Sequence, residues 1–231
     1  MVPRFAFLSL VLFTGLAEAA PLRPSTRLEM SRARLEQPLP AGSVMVVNRG
    51  SKPLLVLQVA AITAGSWGPD RLGSGSLPPG GRGILRLGNS AGCLHDLRAT
   101  YAHGGELTRF NLDLCASPEV SLTDADLATP LPPAREGLAV YRITNRSGRP
   151  VVALHASPAD GAQRGDMLGA WVMAEAMHYT GRAPVPASCR FDLRSAFSLR
   201  PQDAATMAGL DLCESREVSL PARGAVEALS H

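Results

Sequence analysis

Val46-Val47-Asn48-Arg49-Gly50-Ser51-Lys52-Pro53 returns as Ile143-Thr144-Asn145-Arg146-Ser147-Gly148-Arg149-Pro150, 97 residues further on (46 to 143). Three more blocks follow in the same order. Asp70-Arg71-Leu72-Gly73 matches Asp166-Met167-Leu168-Gly169, and Cys93-Leu94-His95-Asp96-Leu97-Arg98 matches Cys189-Arg190-Phe191-Asp192-Leu193-Arg194, both at an offset of 96 (70 to 166, 93 to 189). Leu112-Asp113-Leu114-Cys115 matches Leu210-Asp211-Leu212-Cys213 at an offset of 98 (112 to 210). Ordered matches separated only by small shifts in offset identify a tandem duplication.

Within each copy, short apolar runs rich in β-branched residues are punctuated by turn residues. Val44–Val47, Leu54–Ala61, Ile84–Leu87 and Val151–Ala156 read as strands, with Asn48-Arg49-Gly50 and Ser147-Gly148 as hairpin turns between the first strands of each copy. Repeats of about 80 residues with strands at this spacing must close two sheets over one core. The expected fold is all-β: two tandem small antiparallel β-sandwich-like domains, each with one disulfide. The stretch Asp166–Tyr179 lacks the Pro78-Pro79-Gly80-Gly81 turn of the first copy and reads as a short helix.

The flanks set the boundaries. Residues 1–19 read as a signal peptide: Arg4, then the apolar run Phe5–Phe13, then Ala17-Glu18-Ala19 before the cut, with Ala20 as mature N-terminus. The run is too short to span a bilayer. Residues 20–41 form a lead-in, 42–124 the first β domain, 125–136 a proline-rich linker, 137–222 the second β domain and 223–231 a tail. The linker Thr129–Arg135 predicts that the halves fold independently once it is cut. The expected location is periplasmic or secreted, and the chain is expected to be soluble after cleavage.

Four cysteines in an exported chain allow three disulfide connectivities. The duplication selects Cys93–Cys115 with Cys189–Cys213, because each copy carries both members at equivalent positions. Closing loops of this length stabilises each domain by about 3 kcal/mol on the chain-entropy model. Neither a Cys-x-x-Cys pair nor a regular histidine partner is present, which disfavours zinc and thiol-exchange chemistry.

Composition excludes other classes. Gly (22) and Pro (19) are too frequent for a helical bundle. The net charge is only +3, without a concentrated basic face, which argues against a nucleic-acid partner. Gly88-Asn89-Ser90-Ala91-Gly92 fits the pattern of a hydrolase nucleophile but lacks a strand–turn–helix setting, and reads as a turn. Asp70, Asp96 and Asp113 recur as Asp166, Asp192 and Asp211, and Arg98 recurs as Arg194. Such carboxylates are candidate calcium ligands or acid/base groups; Asp96 and Arg98, two apart on one strand face, more simply make cross-strand ion pairs. Met167, Met173, Met177, His178 and Met207 are candidate ligands for cuprous copper, with core packing as the plainer reading. Trp67, present in one copy only, is either an exposed recognition anchor or buried.

The blocks Trp67-Gly68-x-Asp70-x-Leu72-Gly73, Cys93-x-x-Asp96-Leu97-Arg98 and Asp113-x-Cys115 resemble a family of exported, mostly uncharacterised proteobacterial proteins built from this small cysteine-paired domain. The resemblance spans both repeats and implies fold and location, but no reaction. The second copy departs from it in lacking the Trp-Gly pair. The function expected is a non-enzymatic exported module that recognises a protein or cell-envelope component, with Trp67, Asp70, Asp96 and Arg98 as candidate binding residues and no cofactor. A periplasmic metal-binding protein, using the Met/His set for copper or the Asp set for calcium, is the alternative, and a small hydrolase is third.

Overall fold

A computed structural model of the chain describes residues 39–87, 92–159, 161, 165–169, 171–185 and 189–221. The leader, most of the lead-in, the Gly88–Ala91 part of the hydrolase-like pattern and the tail lie outside the described residues. None of the described helices is long and apolar enough to cross a membrane.

The apolar runs form strands because alternate residues face a shared core. The first copy contains β1 (Ser43–Asn48), β2 (Leu54–Ala61), β3 (Arg82–Arg86), β4 (Leu94–Tyr101), β5 (Glu106–Asp113) and β6 (Glu119–Leu122). The second contains β7 (Leu138–Asn145), β8 (Ala153–Pro158), β9 (His178–Pro184), β10 (Arg190–Ala196), β11 (Ala204–Asp211) and β12 (Glu217–Leu220). A short 3₁₀ turn, Asp124–Ala128, follows β6. Each copy builds two three-stranded sheets, ordered β3-β1-β6 and β2-β4-β5 in the first, β9-β7-β12 and β8-β10-β11 in the second. The fold is the all-β tandem the repeats imply.

Three details differ from the sequence reading. The sheets are not wholly antiparallel, since β1 pairs with β6, and β7 with β12, in parallel. Strands β1 and β2 do not form a hairpin but belong to opposite sheets. The reason is the asparagine ending β1: Asn48 Nδ2 donates to Lys52 O and Leu77 O, each at 2.8 Å, which turns the chain across the sandwich. Asn145 repeats this with Arg149 O at 2.7 Å and Met173 O at 2.9 Å. The described part of Asp166–Tyr179 contains no helix: Met173 pairs its backbone with Val151, and Asp166 Oδ1 accepts from Leu154 N and Leu168 N. The Leu168 and Met173 amides are thereby unavailable to a helical ladder.

Two cores result, one around Leu54, Leu97, Leu107 and Leu122, the other around Tyr141, Ile143, Leu154 and Phe191. Disulfides Cys93–Cys115 and Cys189–Cys213 close one end of each sandwich, with Cα separations of 5.2 and 6.0 Å.

Candidate functional site

Strand β4 is buried on both faces. Leu97, Ala99 and Tyr101 enter the first core, and on the opposite side Asp96, Arg98 and Thr100 are just as enclosed, at 0%, 5% and 3% exposure. A three-stranded sheet in a two-sheet sandwich has one naked face, so something else covers this one. The cover is β9, whose polar alternation His178-x-Thr180-x-Arg182 lies on the face opposite Tyr179 and Ala183 of the second core.

The seam is held by charge. Asp96 accepts from both Nη atoms of Arg135 in the linker, Nη2 at 2.9 Å, and from Nη1 of Arg182. Arg182 also donates to backbone oxygens at the end of β2 and in the loop after it: Nη2 to Ala61 O at 2.8 Å and Ile62 O at 3.1 Å, and Nε to Ala64 O at 3.0 Å. Arg98 Nε donates to Glu106 Oε2 at 2.6 Å and its Nη1 to Gln58 Oε1 at 2.6 Å. The other oxygen of Glu106 accepts Thr180 N at 2.8 Å. Trp67 Nε1 donates to Thr180 O at 2.7 Å, while its ring lies 5.0 Å from the Arg182 guanidinium. Arg98 packs over Tyr179 at 4.4 Å. Three guanidinium groups face two carboxylates, and backbone carbonyls supply the balance.

Burial lowers the pKa of Arg182, against the opposing pull of Asp96, and likewise lowers that of His178. Burial raises that of Tyr179. Among the described residues, Thr108 Oγ1, Thr180 Oγ1, His178 Nε2, Arg142 Nε and Trp171 Nε1 are buried without a hydrogen-bond partner. A cavity of about 350 Å³ opens beside the seam between Gln58, Trp67, Tyr141, Met167, Tyr179 and Arg182.

Each residue singled out from the sequence now has a place. Trp67 is buried, at 4% exposure, so it is no exposed anchor; its ring closes the seam. Asp70 Oδ1 accepts Leu57 N at 2.9 Å and Leu72 N at 3.0 Å, the same bonds Asp166 makes in the second copy. Asp113 and Asp211 cap the turns that carry Cys115 and Cys213. Both sulfurs beside each of these aspartates belong to a disulfide, so they offer no thiolate ligand. Asp96 Oδ1 accepts Asn111 N at 3.0 Å, and Asp192 Oδ1 accepts Gly209 N at 2.8 Å. Both amides sit where β5 and β11 break register in left-handed backbone, at φ 56° and 65°. The shared aspartates are thus tied to their own domain's backbone rather than gathered into one calcium site.

Arg98 makes the expected cross-strand ion pair, with Glu106, whereas Asp96 pairs with the linker and the other half. Met173 is fully buried in the second core and Met167, Met177 and Met207 pack against it, while His178 shares the seam-facing side of β9 with Thr180 and Arg182. Sequence reasoning missed Glu106, Arg135, Thr180 and Arg182. The polar alternation of β5 and β9 gave no separate signal, because a solvated sheet face shows the same pattern. No family model matches the chain, and no curated protein is significantly similar to it.

Proposed function

We propose that the protein is a non-enzymatic exported module that acts as one rigid two-domain body and recognises a protein or cell-envelope component. The observation that carries this reading is the seam: Arg135 and Arg182 converge on Asp96, and Glu106 and Trp67 grip the two sides of Thr180. Buried charged side chains of both halves are committed to fixing one half against the other. Such fixation suits a recognition body whose two faces must keep a set spacing, because preorganisation lowers the entropic cost of binding. The leader pattern and the disulfides support an oxidising, extracytoplasmic location.

Two measurements test it. Expressed from the full sequence, the protein should be recovered outside the cytoplasm with Ala20 as its first residue; an uncleaved cytoplasmic product overturns the location. Labelled mature protein should bind an envelope fraction saturably, in competition with unlabelled protein. Non-saturable binding overturns the recognition role.

A further inference from the structure

The duplication supplies an internal comparison that identifies a second carboxylate-and-carbonyl pocket, in which no guanidinium of the described residues pairs with the carboxylate. In the first half, one guanidinium, that of Arg182, is held by the Asp96 carboxylate and by the carbonyls of Ala61, Ile62 and Ala64. The same pocket is built in the second half. Ala60 lies opposite Asp96 in the β2–β4 ladder, and Ser157 lies opposite Asp192 in the β8–β10 ladder, so Ala61, Ile62 and Ala64 correspond to Pro158, Ala159 and Gly161. Two backbone bonds of the loop recur. Ile62 N donates to Leu94 O and Ala64 N to Ala61 O; Ala159 N donates to Arg190 O and Gly161 N to Pro158 O. Those counterparts, Asp192, Pro158, Ala159 and Gly161, line a cavity of about 250 Å³ on the face of the β8-β10-β11 sheet opposite the second core.

We propose that this cavity is a binding site for a guanidinium group, carried as an arginine side chain on an extended polypeptide segment. The ligand class is read from the filled copy, where the occupant is an arginine on a strand. Asp192 supplies the charge, with Oδ1 held by Gly209 N as Asp96 Oδ1 is held by Asn111 N. The main difference is Arg194, which also lines the cavity. Its counterpart Arg98 is neutralised by Glu106, whereas the ladder places Ala204 at the position of Glu106, and Arg194 Nη2 instead donates to Pro201 O at 3.3 Å. The second site is therefore weaker than the first and suited to reversible binding. This deepens the recognition reading above and rests on it. One source of the arginine is a different protein. The other is a second copy of this chain, since Arg86 on β3 holds the ladder position of Arg182 and is exposed.

The probe is the blocked heptapeptide of β9, His178–Pro184, added to the isotope-labelled mature protein and followed by amide NMR shifts. Shifts at Ala159, Gly161 and Asp192 that saturate are expected, and the peptide with Arg182→Ala should produce none. Asp192→Asn, which keeps the acceptor for Gly209 N, should weaken binding by about tenfold or more. Thr206→Lys, an exposed change at the cavity rim, should weaken it independently of any effect of Asn on folding. No shifts up to about 5 mM peptide, or undiminished binding in both variants, overturns the site. Sedimentation of the protein alone separates the sources. Self-association lost in both Asp192→Asn and Arg86→Ala assigns the guanidinium to a second copy, whereas a monomer that still binds peptide assigns it to another protein; either supports the site. Saturable envelope binding that survives both cavity variants leaves the broader recognition reading standing while overturning this site as its basis.

Discussion

Trp67 Nε1 donates to Thr180 O at 2.7 Å, a bond that spans 113 positions of sequence and joins the loop after β2 to the strand that covers it. The tryptophan that precedes the Asp-x-Leu-Gly motif of the first copy serves the junction between the repeats. The second copy has no tryptophan before its Asp166.

Trp67→Ala should therefore destabilise the folded chain by about 3 to 5 kcal/mol, the usual range for deleting a buried tryptophan. Trp67→Phe retains much of the apolar contact but leaves Thr180 O without its donor, so a smaller loss of about 1 to 3 kcal/mol is expected. Urea unfolding of both variants checks the order. A Trp67→Ala variant as stable as the parent would contradict the buried position.

Asp96 and Asp192 make the same bond to their own domain but differ in what else they hold. Asp96→Ala leaves two guanidinium groups buried without their carboxylate and should cost about 3 to 5 kcal/mol. Asp192→Ala removes chiefly the bond to Gly209 N and should cost about 1 kcal/mol. Parallel denaturation curves measure the ratio directly.

Cutting the linker between Thr129 and Pro133 should leave the halves together, contrary to the independence that the proline-rich linker suggests. The seam contacts from Trp67, Arg98 and Glu106 do not pass through the cut. Native size-exclusion should return a nicked particle of unchanged size that separates only in denaturant. Separation in plain buffer would show that Arg135, tethered to the cut segment, dominates the junction.

Stability should fall as pH drops below 6.5 in a way that depends on His178. Burial holds its folded pKa below the ordinary value of 6.5, helped by Arg142 and Arg98 and opposed by Glu106 and Glu217. Between the two values the unfolded chain binds the proton and the folded chain does not, so acid favours unfolding. The slope for this single proton is at most about 1.4 kcal/mol per pH unit. His178→Gln should flatten the melting temperature across that window. The acid transition below it, where Asp124 is kept ionised by its bonds from Tyr101 and Ser51, should remain.

The amino-acid order alone determined the duplication, the all-β class, the pairing of the cysteines and the local character of the shared aspartates. These features repeat within roughly 20 residues of themselves or recur at a fixed offset, and each is governed by strand periodicity or by a side chain bonding its neighbouring backbone. Asp70, Asp113, Asp166 and Asp211 behave as such local caps. Only the tertiary structure decided that Asp96 meets Arg135 and Arg182, that Glu106 meets Thr180, and that Trp67 is enclosed. Those contacts depend on how the outer face of one sheet lies against a strand 86 positions away. Strand periodicity tells which residues share a face but not which remote face will cover it, and a polar residue facing outward reads the same whether it meets water or a buried guanidinium.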